Sequence, residues 1–348
     1  MGFKTYLLKK VLIYFSVLIA TMTILYIFTF PILQQVIIST INVDVSRFEE
    51  ALIRHSHNLN MTQVNIEVEK YREYLISAYG LNKPIVEKYF IQMYNLLRFN
   101  FGDAYFLQAP SGSRKVSAII AYYLPNTILL FTTGTIIVII AGTFIGLLAA
   151  NTKIWDKIVA VIAIVHSSLP TWWFGFILLA AFAYSIKLFP PGGMVSIPPP
   201  KNPFDYGLSV LDHMVLPLLA LFIVGVGGFA YVVRSLVASI LKEDFVITAK
   251  ARGLPNSTIL YKHVLRAASP AIATQAILAV AGSLGGSVTT EVIFEWPGVG
   301  LLTYWAIGQN DLPVILGVTY VLTIVLVAGL FLGELVYGLL DPRIKVGE

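Results

Sequence analysis

The chain contains no cysteine and carries little charge. Among its 348 residues, 12% are Asp, Glu, Lys or Arg, whereas 57% are hydrophobic. The absence of cysteine excludes disulfides, thiolate metal sites and cysteine nucleophiles. Soluble domains carry about 25% charged residues, so this chain has too few to cover a globule of its size. A soluble enzyme, a disordered protein and a nucleic-acid-binding protein are therefore disfavoured, and the net charge of +5 is too small to change that.

The chain contains several long apolar segments that carry almost no charge. A membrane helix needs about 20 apolar residues to cross about 30 Å of hydrocarbon. Six segments meet this requirement and predict an all-α integral membrane protein with six transmembrane helices. The predicted spans are 11–33, 124–149, one within 158–189, which is long for a single span and contains Pro170, and 213–233, 270–294 and 313–340. The first follows Lys9 and Lys10 and is too long for a signal peptide, so we expect an uncleaved anchor.

The distribution of Lys and Arg orients these spans. If the N-terminus is cytoplasmic, thirteen Lys and Arg fall on the cytoplasmic side, and only Lys187 and Lys201 fall in the short outer loops. Because cytoplasmic loops are enriched in Lys and Arg, both termini are predicted to be cytoplasmic. The predicted parts are the tail with the first helix (1–33), a helical extracytoplasmic loop domain (34–123), a five-helix permease core (124–340) and a cytoplasmic tail (341–348).

One cytoplasmic segment, 241–270, has the pattern of helices rather than of a loop. A short helix is predicted from Asp244 through Arg252, and Gly253 ends it, since a positive φ costs glycine little. A second, amphipathic helix follows. Its predicted apolar face consists of Ile259, Leu260, Val264 and Ala267. Two interpretations stay open from the residues alone: a helical hairpin lying on anionic lipid, or a docking site for a soluble partner.

This segment resembles the cytoplasmic EAA loop of ABC-importer permeases, in the dipeptide and oligopeptide branch. That branch shows an acidic pair, then T-A-x-A-x-G-L, then a basic helix ending in L-R-x-A. Here the matches are E-D at 243–244, T-A-K-A-R-G-L at 248–254 and L-R-A-A at 265–268. The resemblance implies that this loop couples the chain to an ATPase. The implied coupling residues are Glu243, Asp244, Thr248, Ala249, Lys250, Arg252, Gly253 and Leu254.

The resemblance continues along most of the chain, in the order that the family shows. The matching segments are G-L-N-K-P at 80–84, F-G-D at 101–103, L-P-N-T at 124–127, S-L-P-T-W-W at 168–173, T-E-V-I-F-E-W-P-G-V-G at 290–300 and L-D-P-R at 340–343. The resemblance implies a type I ABC-importer fold. It also implies a transport function: half of a translocation pathway for peptides or similar small oligomers, with oligosaccharides as a further option.

The same resemblance implies the partners. They are a second homologous permease, two cytoplasmic ATPase subunits and an extracytoplasmic substrate-binding protein, all at the plasma membrane of a prokaryote and surrounded by its lipids. The chain contains no G-x-x-x-x-G-K-[ST] phosphate loop. We therefore expect no enzymatic activity, metal or cofactor in this chain, and we expect the partner ATPases to bind ATP and Mg²⁺. No nucleic-acid partner is expected.

Six residues are candidates for the translocation pathway or its gate. They are Ser168, Pro170, Trp172, Trp173, Glu291 and Trp296. Ser168 is expected to hydrogen-bond a backbone carbonyl close to Pro170, and the Trp pair to face the pathway. Glu291 is expected near the extracytoplasmic gate, with an interfacial anchor beside Trp296 as the alternative.

Two acidic or nucleophilic groups suggest other functions. His166 with Ser167 and Ser168 suggests an intramembrane hydrolase, but adjacent residues on a helix do not face one another. Glu334 lies in an apolar run, and a proton-coupled secondary transporter would need such a residue. We favour a structural ion pair between Glu334 and a basic residue on a neighbouring helix. The proton-coupled transporter is retained as the alternative function.

Overall fold

The computed structural model describes residues 3–55 and 60–340. Within these residues every regular element is helical. Five helices are long and apolar enough to cross a membrane, which confirms the predicted all-α membrane fold. The predicted tail 341–348, and with it most of the L-D-P-R motif, lies outside the described residues.

Most helices follow one another closely along the chain, and longer connections stand at 98–115 and 186–202. In chain order they are α1 (Phe3–His55), α2 (Met61–Ala78), α3 (Ile85–Leu97), α4 (Val116–Asn151), α5 (Lys153–Ser168), α6 (Thr171–Leu178), α7 (Pro203–Ile240), α8 (Asp244–Ala251), α9 (Asn256–Thr258), α10 (Leu265–Ser283), α11 (Val288–Ile293), α12 (Val299–Gly308) and α13 (Leu312–Leu340). Two π-helical segments extend them: Leu179–Ser185 follows α6, and Ile259–Val264 joins α9 to α10.

The chain forms two compact units. The core unit consists of the residues up to Tyr14 together with those from Ala104 onward, and the α1–α3 unit consists of Phe15–Asp103. The domain boundaries proposed from the sequence differ from these limits and remain predictions.

In the α1–α3 unit, Ile41 and Val45 of α1 pack against Leu75 of α2. Helix α2 ends at a glycine, Gly80, whose φ is +66°. Its amide donates to the Ser77 carbonyl at 3.0 Å, and the next amide, of Leu81, donates to the Ile76 carbonyl at 2.9 Å. This pair of bonds closes the last turn of the helix and needs a left-handed residue at Gly80.

In the core unit, α4 packs closely along α7. A Cβ added at Gly146 would lie 2.6 Å from the Ala230 carbonyl oxygen and 2.7 Å from the Val233 Cβ. Gly142, one turn earlier, faces Phe229 at 3.0 Å in the same way. In lipid such small residues let two helix backbones approach each other, so these glycines fix the α4–α7 contact.

The third predicted span, 158–189, is not one helix. Helix α5 ends at Ser168, and α6 begins at Thr171. Between them Pro170 adopts an extended conformation, with φ −73° and ψ 146°. Proline lacks an amide hydrogen and disfavours the helical conformation of the residue before it. The proline that the sequence shows in this segment therefore divides it into two helices.

Two other span limits also differ from the prediction. Helix α10 ends at Ser283 rather than near residue 294, because the chain turns at Gly286, whose φ is +65°, and α11 then begins separately. Helix α1 continues to His55, well beyond the predicted end at residue 33. In this part Ile37, Ile41 and Val45 recur at four-residue spacing and pack against Leu75 of α2.

Candidate functional site

The predicted coupling helix is present as α8. It begins at Asp244 as predicted, with Glu243 as the extended cap residue before it and Asp244 in the first turn. It ends as predicted at Gly253, whose φ is +75°. The Gly253 amide donates to the Lys250 carbonyl at 2.9 Å, and the Leu254 amide to the Ala249 carbonyl at 3.3 Å.

Two apolar residues hold α8 against the rest of the core unit. Val246 is fully buried and Ala249 is 8% exposed. They belong to a cluster that contains Val237 of α7 and Val264 and Ala268 from the start of the α10 span. Helix α8 is thereby packed against the ends of two different membrane helices.

The other predicted coupling residues lie on the free side of α8. Exposed residues of this set are Glu243, Asp244, Thr248, Lys250, Arg252, Gly253 and Leu254. Three apolar side chains accompany them: Phe245 is 43%, Ile247 59% and Tyr261 47% exposed. We call these three residues the apolar face of the coupling segment. Acidic, basic and apolar groups together give a surface suited to a protein partner.

The second helix of the segment differs from the prediction at one position. Ile259, Leu260 and Val264 are buried as expected, but Ala268 is buried instead of Ala267. The π-helical turn at Ile259–Val264 has a wider repeat than an α-helix. Ala268 lies beyond this turn, in α10, and follows Val264 at the ordinary four-residue spacing of one helical face.

Glu291 lies in a buried network rather than at an open surface. Its side chain is fully buried. One carboxylate oxygen accepts from the Gly300 amide at 2.7 Å and the Leu301 amide at 3.1 Å, at the start of α12. The other accepts from the Thr127 hydroxyl at 2.8 Å. The carboxylate thus supplies acceptors for the first amides of α12, which have no partner within the helix.

Thr127 and Trp296 complete this network. The Thr127 hydroxyl accepts from the Val299 amide at 2.7 Å. The Trp296 indole donates to the Asn126 carbonyl at 2.9 Å, and the Asn126 amide group donates to the Pro297 carbonyl at 2.8 Å. The L-P-N-T and E-W-P-G-V-G segments therefore join α4 to the α11–α12 connection. We call these residues the α4–α12 network.

The α4–α12 network requires glycine at two positions, because a side chain there would overlap its atoms. A Cβ at Gly298 would lie 2.4 Å from a Glu291 carboxylate oxygen, and a Cβ at Gly300 would lie 2.7 Å from the Val288 Cα. Burial raises the pKa of the Glu291 carboxyl to about 7, although the hydrogen bonds from Thr127, Leu301 and Gly300 oppose the shift. Glu291 and Trp296 are both buried in this conformation, so neither stands in an open passage here.

The remaining pathway candidates lie at the break between α5 and α6. The Ser168 hydroxyl donates to the Ile164 carbonyl at 2.8 Å, which confirms the expected backbone bond near Pro170. Trp172 is 42% and Trp173 41% exposed. The break therefore presents two aromatic surfaces outside the packed core. The His166 and Ser167 side chains lie outside what the structure describes.

The sequence analysis missed Asp311. This residue is fully buried, and its carboxylate accepts from the amides of Tyr105 at 3.1 Å, Phe106 at 2.8 Å and Leu107 at 3.0 Å. Its place directly before α13 is typical of a helix cap. That signal predicts a local role only, whereas the carboxylate binds a segment about 200 positions away in the chain.

Glu334 forms the predicted ion pair. A carboxylate oxygen of Glu334 lies 2.8 Å from the Lys10 ammonium group, and both residues belong to the core unit. Among the residues described, no cluster of three His, Asp or Glu side chains could hold a metal ion.

Several long apolar helices, a broken third span and an exposed short helix packed against two spans are the features of a multi-pass transport permease. The chain belongs to the family described as binding-protein-dependent transport system inner membrane component, which matches residues 142–346. It is thus the membrane-embedded permease of an ABC importer.

Curated relatives extend the match to most of the chain. The oligopeptide transport system permease protein AppB of Bacillus subtilis is 31% identical over 79% of this chain and 85% of its own length. The dipeptide transport system permease protein DppB of the same organism is 33% identical over 80% of this chain and 85% of its own length. Neither of these two relatives is named as a proton-coupled carrier.

A solved structure shares the fold. Inward-facing conformations of the MetNI methionine ABC transporter match with a TM-score of 0.50 at 15% identity, covering 64% of this chain and 96% of that chain. A second crystal form of the same transporter matches with a TM-score of 0.51. At this identity the likeness concerns the fold alone.

Proposed function

We propose that this chain is one of two permease subunits of an ATP-driven importer of peptides. The names of the AppB and DppB relatives support peptides as the substrate class. A second permease, two ATPase subunits and an external binding protein complete the transporter. ATP hydrolysis, with its ATP and Mg²⁺, resides in the ATPase subunits.

The exposed helix α8 is the observation that carries this proposal. Val246 and Ala249 hold it against two membrane helices, while Phe245, Ile247 and Tyr261 stay uncovered. Exposed apolar side chains on α8 and on the neighbouring π-helical turn, in a segment that packs against two spans, suit a partner that exerts force. Movement of a bound ATPase would displace α8 and, through it, the ends of α7 and α10.

The orientation follows from the charges. With thirteen Lys and Arg against two in the short outer loops, the positive-inside tendency places α8 and both termini in the cytoplasm of a prokaryotic cell. The α4–α12 network then lies toward the outer side.

We assign two different roles to the six pathway candidates. Glu291 and Trp296 hold the α11–α12 connection against α4 and thereby position the outer gate. Ser168, Pro170, Trp172 and Trp173 form the helix break beside the pathway. The break gives α6 freedom to move relative to α5, because no backbone hydrogen bond can form at the proline nitrogen.

The substitution Gly253→Asp tests the coupling role. It is expected to abolish substrate uptake and ATPase stimulation, because a non-glycine residue at φ +75° strains the end of α8 and the added charge disturbs docking. Uptake and ATP hydrolysis are measured at equal membrane levels of the complex.

Gly112→Asp is the matched control. Gly112 has φ +80° and, like Gly253, no atom within 4 Å of an added Cβ, but it lies outside the coupling segment. The control should keep its uptake. Normal uptake with Gly253→Asp, or equal loss in both variants, would contradict the proposed coupling role.

A further inference from the structure

We propose that a cavity in the α1–α3 unit binds one anionic phospholipid. The cavity has a volume of about 330 Å³ and lies between α1, the turn after α2, and α3. We call it the α1–α3 cavity. Nothing in the transport function described above uses it, and the inference does not depend on that function.

The cavity lies where α1 leaves the membrane. The apolar run of α1 begins at residue 11, and about 20 helical residues cross the hydrocarbon. The cavity-lining residues Phe30, Leu33 and Gln34 therefore stand at the boundary between hydrocarbon and headgroups. This argument holds for either orientation of the chain.

Helix α3 supports the same placement. Val86, Phe90 and Tyr94 recur at four-residue spacing and are 61%, 63% and 54% exposed. They form an apolar stripe that the α1–α3 unit itself leaves uncovered. A helix with such a stripe and with lysines nearby is typical of an element lying in the membrane interface.

The polar part of the cavity favours an anion. Lys83 and Lys88 line it, together with the amides of Gln34 and Gln92, and no Asp or Glu is among its lining residues. Lys88 donates to the Leu81 carbonyl at 2.9 Å, which leaves two of its three donors for a ligand. Lys83 pairs with Glu87, and an exposed pair of this kind is weak and can be exchanged for a phosphate.

One wall of the cavity favours an acyl chain and an ester. Phe30, Leu33 and Ile37 of α1 provide apolar surface. Tyr26 lines the same wall, and its hydroxyl is buried without a hydrogen-bond partner among the described residues. A glycerol ester oxygen of a lipid could accept from it. Inorganic phosphate would satisfy the lysines and leave this wall uncovered.

Lipid add-back to the delipidated full-length protein tests the proposal. Native mass spectrometry measures binding of phosphatidylglycerol, phosphatidylcholine and inorganic phosphate, each added separately and then in competition. The wild type is expected to retain one phosphatidylglycerol in preference to phosphatidylcholine. Lys83→Gln and Lys88→Gln should each weaken retention about fivefold, as expected for one basic residue at an anionic surface.

Two matched controls accompany these variants. Lys70→Gln removes a lysine of α2 that pairs with Glu67 and does not line the cavity. A third test variant, Leu33→Trp, fills the apolar wall without changing charge, and it keeps the test decisive if Lys88→Gln disturbs the turn at Leu81. Its control is at the neighbouring position. Ile32→Trp places the same side chain on the exposed neighbouring position.

The expected result is weaker retention of phosphatidylglycerol with Lys83→Gln, Lys88→Gln and Leu33→Trp, and unchanged retention with Lys70→Gln and Ile32→Trp. Three results would overturn the proposal: equal retention by all variants, equal binding of the two lipids by the wild type, or displacement of phosphatidylglycerol by inorganic phosphate. The last would indicate a plain anion site.

Discussion

Glu291 shows how one buried side chain can organise a helix start. Its carboxylate reaches two amides of α12 and the Thr127 hydroxyl of α4. An unsatisfied buried donor costs about 1–3 kcal/mol, so the network contributes to stability as well as to position. The position of Gly300 depends on the same arrangement, since α12 begins directly against Val288 of α11.

Gly300→Ala is expected to lower stability by about 1–3 kcal/mol, because the added methyl overpacks the contact with the Val288 backbone. Gly308→Ala, in the same helix and with no atom within 4 Å of the added Cβ, should leave stability unchanged or raise it slightly. The apparent melting temperature of the protein in detergent measures both. Equal effects would mean that the contact is not tight.

Sequence reasoning located these residues but not their contacts. The E-W-P-G-V-G and L-P-N-T segments were identified as family features. The hydrogen bond that joins Glu291 to Thr127 spans 164 positions in the chain, and no local pattern encodes such a pair. Asp311 escaped notice for the same reason, whereas Gly253 was found because its helix-ending role is local.

At the scale of the helices, composition predicts the presence of a helix more reliably than the residue at which the helix ends. The apolar runs correctly predicted α4, α7 and α13. Pro170 breaks the third run and Gly286 the region after α10, and neither changes the apolar count on which the spans were chosen. In the second helix of segment 241–270, Ala268 is buried and Ala267 is exposed. Both positions lie at a spacing from Val264 that one helical face allows, so the apolar pattern alone does not decide between them.

Two adjacent residues of α8 are expected to have different roles: Val246 packs in the core, and Ile247 contacts the ATPase. Val246→Ala should destabilise the protein by about 2 kcal/mol, because it empties part of a fully buried site. Ile247→Ala, at a position 59% exposed, should change stability by less than about 0.5 kcal/mol and yet weaken ATPase binding. Thermal unfolding and co-purification of the ATPase subunits distinguish the two. If Ile247→Ala retains the ATPase fully, the apolar face does not form the docking surface.

At the scale of the whole molecule, the proposed transport function requires a defined side of the membrane for each helix. Helix α1 has 53 residues, about 80 Å at 1.5 Å per residue, so it extends far beyond one membrane thickness. The residues after its apolar run, together with α2 and α3, are expected outside the cell, and α8 inside. The Lys10–Glu334 pair joins the start of α1 to α13 near the inner boundary in this orientation.

Single cysteines test this orientation cleanly, because the chain has none of its own. Asn60→Cys should react with a membrane-impermeant maleimide in intact cells, and Lys250→Cys only after permeabilisation. Both positions are exposed, so access to the reagent decides the result. Labelling at 250 but not at 60 in intact cells would reverse the topology.

The α4–α12 network also limits how this protein can change over time. A side chain at Gly298 would occupy the space of the Glu291 carboxylate, and a shorter residue at 291 would leave the amides of α12 and the Thr127 hydroxyl without their acceptor. Substitutions at residues in direct contact do not add independently. The effect of a change at Thr127, Glu291 or Gly298 therefore depends on the residues at the other two positions. These three positions, in two distant parts of the chain, are expected to change together.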